Sequence, residues 1–125
     1  MADVDDLLAA NAAFYAAFEA RDLDAMSEIW SHEDHVACTH PGWATLRGWG
    51  AVASSWFALF QGEAAMQFIL TAVAAHVEGD VGWVTCDENL LAGSQAQTVA
   101  ATNAFVRAGG TWRLVLHHGS AVVGA

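Results

Sequence analysis

Glu78-Gly79-Asp80-Val81-Gly82-Trp83-Val84-Thr85-Cys86-Asp87-Glu88-Asn89-Leu90-Leu91-Ala92-Gly93-Ser94 is a strand held between two tight turns. Trp83, Thr85, Asp87 and Asn89 fall on one face, Cys86 and Glu88 on the other, because side chains alternate along a strand. Gly79 and Gly93 supply the backbone freedom that hairpin turns require. The same two-residue period runs on both sides, giving expected strands over 66–78, 81–92, 96–107 and 111–121, with Ala108-Gly109-Gly110 as the third turn. This is an antiparallel meander.

Upstream of Gly62 the period is helical. Val4, Leu7, Leu8, Asn11, Phe14, Tyr15 and Phe18 recur at spacings of three and four, which predicts a helix over 3–20. Asp22 is placed to cap a short second helix whose apolar face is Leu23, Met26, Ile29 and Trp30. A short strand is expected from His35 to His40, ended by Pro41-Gly42. A third helix follows from about Gly48 to Gln61, with Trp49, Val52, Ala53, Trp56 and Phe60 on one side. Three helices followed by a meander make an α+β protein, a cone-shaped barrel of curved antiparallel sheet closed by the helices. Its concavity is the natural ligand pocket. Ile69, Val73, Val84 and Val106 are expected on the outer sheet face, where an apolar patch marks a dimer interface.

Composition narrows the functions. The chain has 125 residues, 55% of them hydrophobic, which suits one domain over 1–125 with one core. Its net charge is −10, there is no lysine, and Arg21, Arg47, Arg107 and Arg113 are the only fixed cations. Phosphate backbones and anionic membrane surfaces both require clustered positive charge, so neither nucleic acid nor membrane is an expected partner. No apolar run reaches the roughly 18 residues of a spanning helix. The acidic start Met1-Ala2-Asp3-Val4-Asp5-Asp6 lacks a signal-peptide pattern, and the expected location is cytoplasmic. Cys38 and Cys86 read as buried thiols.

The segments Phe14-Tyr15-Ala16-Ala17-Phe18-Glu19-Ala20-Arg21-Asp22-Leu23-Asp24, Trp30, His40-Pro41-Gly42-Trp43, Gly48, and Trp112 leading to His117-His118 resemble the nuclear-transport-factor-2-like superfamily, and within it the SnoaL-like proteins. The resemblance covers nearly the whole chain and implies the cone fold. It does not settle a function, since the fold hosts enzymes, binding modules and assembly domains. Steroid isomerase, a member of that superfamily, keeps an Asp-Pro base where this chain has His40-Pro41. Its oxyanion tyrosine corresponds to Phe14, with Tyr15 adjacent and expected to turn elsewhere, and its protonated acid corresponds to Asn103. The isomerase constellation is therefore not kept.

The candidate catalytic residues are His40, His118 and Asn103. His40 is in phase with Val36 and Cys38, and imidazole suits proton transfer near neutrality. His118 is in phase with Trp112, Leu114, Leu116 and Ser120, which points it inward and His117 outward. Asn103 could orient a carbonyl and stabilise developing negative charge. Asp87 or Glu88 could supply the carboxylate that orients a histidine. Tyr15, Trp43, Trp49, Trp56, Trp83, Asn89 and Ser120 are the candidate ligand-binding residues, the tryptophans as an aromatic wall. The bland alternatives are hydrogen-bonded core histidines, strand-to-strand amide bonding and ordinary aromatic core.

No metal is expected: alternation sends His35 opposite to His40, and no His-Glu-x-x-His or Cys-x-x-Cys motif occurs. No cofactor is expected either. The leading function is a small apolar-ligand-binding protein acting as a cofactor-independent acid–base isomerase, dehydratase or cyclase. The alternative is a non-catalytic ligand-binding or dimerisation module.

Overall fold

The computed structural model describes residues 2–62 and 65–123. Helix α1 spans Ala2–Ala20, α2 Leu23–Ile29 and α3 Trp49–Phe60. The strands are β1 Ala37–Thr39, β2 Leu46–Arg47, β3 Met66–Glu78, β4 Val81–Ala92, β5 Gln95–Ala108 and β6 Thr111–Ala121. The three helices and four long strands lie where the periodicities put them. The Asp22 carboxylate accepts from the Ala25 amide at 3.1 Å and caps α2. No helix among the described residues is long and apolar enough to cross a membrane.

The sheet has six strands in the order β2-β1-β6-β5-β4-β3 and is curved but open rather than a closed barrel. β3 to β6 form the antiparallel meander. β1 pairs parallel to β6, with Cys38 opposite His117 and Thr39 opposite His118. β2 pairs antiparallel to β1 through only two residues, too few to leave a period in the sequence. β1 is shorter than the expected 35–40 strand, because the chain turns at Pro41 and folds back to β2.

Two bulges shape the sheet. On β3 the pairing skips from Thr71 to Ala74, and Ala72 takes a positive φ of 53° there. On β6 the pairing skips Val115: Phe105 faces Leu114 and Ala104 faces Leu116. An inserted residue bends a strand and shifts its alternation by one. Trp112 and Leu114 therefore point inward before the bulge, and His117 and Gly119 point inward after it.

The core lies between the helices and the inner sheet face. Leu7, Phe14, Met26, Trp30, Trp56, Phe105 and Leu114 are fully buried in it. Val84, expected outside, is also fully buried, since it shares its face with Cys86 and Glu88. Ile69 is exposed on the outer face as expected, along with Val81, Trp83 and Leu91; Val73 is also exposed, but it sits in the β3 bulge in phase with the inward Ala75 and Val77. Gly82 sits where α1 presses on the sheet; a Cβ there would lie 2.8 Å from Leu7 Cδ2.

Candidate functional site

The parallel pairing of β1 with β6 brings the two histidine-bearing segments together. His40 and His117 are both buried, with ring centroids 6.4 Å apart. They line one cavity of about 170 Å³ with Glu88, Phe18, Phe68 and Leu90, among others. Pro41 and Val99 complete its wall, and Gln97 adds one neutral amide.

Behind His117 runs a buried hydrogen-bonded chain. His117 Nδ1–H donates to Asn103 Oδ1 at 2.5 Å. Asn103 Nδ2 donates to Asn11 Oδ1 at 2.9 Å and to the Tyr15 hydroxyl oxygen at 3.1 Å. Tyr15 in turn donates to Glu88 Oε2 at 2.5 Å and lies 3.5 Å from Cys86 Sγ. Antiparallel register makes the first link, since Asn103 and His117 are directly paired on β5 and β6. Helix α1 makes the second: Asn11 and Tyr15 are one turn apart and share a side of the helix.

His40 has its own anchor. Ser55 Oγ–H donates to Val52 O at 2.6 Å, so the Ser55 oxygen is left to accept His40 Nε2–H at 2.9 Å. Cys38 Sγ lies 3.7 Å from His40 Nε2. Trp56 meets the His40 ring edge-to-face at 4.8 Å, and Trp43 does the same from the solvent side.

Burial sets the protonation states, because it penalises whichever form is charged. It pushes the Glu88 carboxyl up to about 7, against the hydrogen bond from Tyr15, which pulls the other way. It lowers His40 to about 4. It lowers His117 to about 3, with the neighbouring His40 and His118 adding in the same direction. The Cys38 thiol is pushed up to about 12 by burial and then by Glu88, and the Tyr15 phenol is raised for the same two reasons. At neutral pH the cavity thus holds two uncharged imidazoles and a carboxyl that titrates close to neutrality. Thiolate chemistry at Cys38 is suppressed.

Several expected positions are corrected. His118 is exposed on the outer face and His117 is the inward residue, because the Val115 bulge reverses the alternation. Asn103 does not reach the cavity: both amide protons and its oxygen are used by Asn11, Tyr15 and His117, leaving no donor for a substrate carbonyl. Tyr15 turns into the polar cluster rather than elsewhere, but it holds Glu88 from behind and does not touch the cavity. Trp83 and Asn89 lie on the outer side of β4, where Trp83 packs on His76 and Asn89 bonds Ile69 O, Thr71 and Thr98. Ser120 is exposed beside His118. Trp49 stacks on His32 at 4.5 Å, away from the cavity. Trp56 backs the site and Trp43 flanks it, yet neither lines it.

Glu88, of the two carboxylates left open, is the inward one, and Asp87 faces out. Asn11 and Ser55 were not singled out. Their signal is a polar residue on an otherwise apolar helix face: Asn11 falls in the series with Leu7, Phe14 and Phe18. Among the described residues no group of three or more His, Cys, Asp or Glu side chains is arranged to hold a metal ion.

The chain belongs to the SnoaL-like domain family, whose model matches residues 7–124. It is similar in structure to a proposed dehydratase of the NTF2-like family from Streptomyces avermitilis, with 38% identity, 98% of each chain covered and a TM-score of 0.92. A second similar structure is a proposed calcium/calmodulin-dependent protein kinase type II association domain from Thiobacillus denitrificans, with 40% identity, 91% of this chain and 93% of that one covered, and a TM-score of 0.80. F-box protein SKIP8 of Arabidopsis thaliana is 28% identical over 117 residues, 94% of this chain and 50% of that protein. The chain spans about half the length of that curated relative.

Proposed function

We propose that the cavity takes a small, mainly apolar carbonyl compound and performs cofactor-independent acid–base chemistry on it, with dehydration of a β-hydroxy carbonyl as the leading reaction. The observation that carries this reading is the meeting of His117, His40 and Glu88 in one cavity whose remaining wall is apolar apart from Gln97. Its volume is about 170 Å³, and a pocket of roughly 150 Å³ holds benzene, so the ligand is of single-ring size.

His117, neutral at physiological pH, takes the proton next to the carbonyl on Nε2. Protonated Glu88 gives its proton to the departing hydroxyl, which leaves as water. The proton on His117 then returns to Glu88, so atoms and charges balance with no added group. His40 holds a neutral polar edge beside the reacting atoms. Two groups whose surroundings push their pKa values apart form a natural acid–base pair. The likeness to a proposed dehydratase at 38% identity favours elimination over isomerisation or cyclisation.

The test uses 3-hydroxycyclohexanone, with enone formation followed by ultraviolet absorbance. His117→Ala and Glu88→Gln should each lower kcat/KM by about 100-fold or more, and His118→Ala should not. Equal rates for all three variants would reject the assignment.

A second reading, a non-catalytic binding or dimerisation module, is favoured by the exposed Ile69, Val81, Trp83 and Leu91 on the outer sheet face. It is compatible with the first, because that face lies opposite the cavity. A homodimer through this face is expected in the cytoplasm. Sedimentation showing monomer alone at micromolar concentration would rule the dimer out.

A further inference from the structure

We infer that Asn11, Tyr15 and Asn103 form a clamp that fixes the tautomer of His117, holding the proton on Nδ1 and leaving the Nε2 lone pair free for the cavity. The inference rests on His117 as the proposed base and adds three positioning residues that do not touch the ligand.

Counting protons fixes the tautomer. Tyr15 has one, and it goes to Glu88 Oε2 at 2.5 Å, so the proton of a neutral Glu88 sits on Oε1. The tyrosine oxygen must then accept, and its partner is Asn103 Nδ2 at 3.1 Å. The second proton of that nitrogen goes to Asn11 Oδ1 at 2.9 Å. Both contacts orient the Asn103 amide with its oxygen toward His117. An oxygen with no proton can only accept, so Nδ1 of His117 must be the donor. Rotating the amide would set an N–H against Nδ1 and deprive the Tyr15 oxygen of its donor.

The clamp is also uncharged at its contact with the imidazole. A carboxylate at position 103 would raise the affinity of His117 for a second proton and fill the lone pair that the base needs. Asn103 and His117 are essentially fully buried, so solvent cannot scramble the arrangement. The titratable groups around His117 are Cys38 from β1 and His40 just beyond it, Glu88 and Cys86 from β4, Tyr15 from α1 and His118 on β6. Of the buried groups among them, Glu88 is the one whose charge changes near neutrality.

The test is two-bond proton–nitrogen NMR on the intact protein labelled at histidine, with no ligand. The native chain should show His117 as a single Nδ1–H tautomer from pH 5 to 8. Asn103→Asp should move the His117 titration up by about 1–3 pH units, and the acidic limb of kcat/KM should move with it. Asn11→Ala, which keeps the strand pair intact, should release the amide and make the Nε2–H tautomer visible. A native Nε2–H or mixed tautomer overturns the inference. So does a single unaltered Nδ1–H tautomer in Asn11→Ala. If Asn103→Asp does not fold, the Asn11→Ala spectrum decides. Because the spectra need no substrate, a correct tautomer in a protein without dehydratase activity would sink the proposed reaction and leave the clamp standing.

Discussion

Replacing Glu88 by glutamine should make the protein more stable at alkaline pH and remove a pH dependence that the native chain carries. Glu88 is a buried carboxyl whose folded-state value rises from 4.5 to about 7. A raised folded value means the native state binds the proton more tightly. The stability from Glu88 is therefore complete below about 4.5 and is lost as pH rises through about 7. At about 1.4 kcal/mol per pKa unit the whole effect is about 3 kcal/mol, of which about 2.5 kcal/mol falls between pH 5 and 8. Glutamine keeps the shape and still accepts from Tyr15, but it does not ionise. Urea unfolding of both proteins at pH 5, 6, 7 and 8, at one protein concentration, gives the difference in unfolding free energy directly. That difference should grow by about 2.5 kcal/mol in favour of Glu88→Gln across the range. Subtraction also cancels the histidine contributions, which run the other way. Parallel curves would show that the carboxyl is hydrated in solution and would refute its assignment as a near-neutral acid.

The two adjacent histidines should behave differently. His117→Ala leaves Asn103 Oδ1 buried without a donor and should cost about 1–3 kcal/mol, while exposed His118→Ala should stay within about 0.5 kcal/mol, both by urea unfolding. His40 and His117 have folded values lowered from 6.5 to about 4 and about 3, so the stability they contribute is full above about 6.5 and is lost as pH falls through those values. Each should add about 1.2 kcal/mol between pH 5 and 6, and His117→Gln should remove one such increment. Gly82→Ala should cost about 1–3 kcal/mol by thermal unfolding, since the new methyl would meet Leu7 at 2.8 Å and Trp112 at 3.3 Å; an unchanged melting temperature would show that α1 moves freely on the sheet.

The fold was legible because its cues are local. Helix α1 announces itself by its apolar period, the meander by alternation and by Gly79, Gly93 and Gly109, and α2 by Asp22. The inward facing of His40 and the opposite facings of Asp87 and Glu88 followed from the same alternation. What escaped prediction depends on contacts distant in sequence. The bulge at Val115 has no glycine to mark it, so counting by twos from Trp112 puts the wrong histidine inside. Tyr15 could not be placed from the helix period alone, because α1 is covered on more than one side and both Phe14 and Tyr15 are buried. Asn103 was located at the right place but given the wrong task, since its saturation depends on Asn11, 92 residues away. The parallel join of β1 to β6, which assembles the site, leaves no periodic trace in a strand of three residues.

The skipped residue on β6 decides which of two adjacent histidines faces inward. Were Val115 taken into the ladder, every side chain beyond it would exchange faces, and His118 would enter the cavity in place of His117. An imidazole would thus be delivered in either frame, but in the slipped frame it would sit opposite Ala101 and lose its amide partner. Two neighbouring histidines therefore preserve the chemical group against a one-residue slip without preserving its wiring. Deleting Val115 outright, by contrast, straightens the strand and keeps His117 inward, so the chain could shorten there without exchanging its reactive residue.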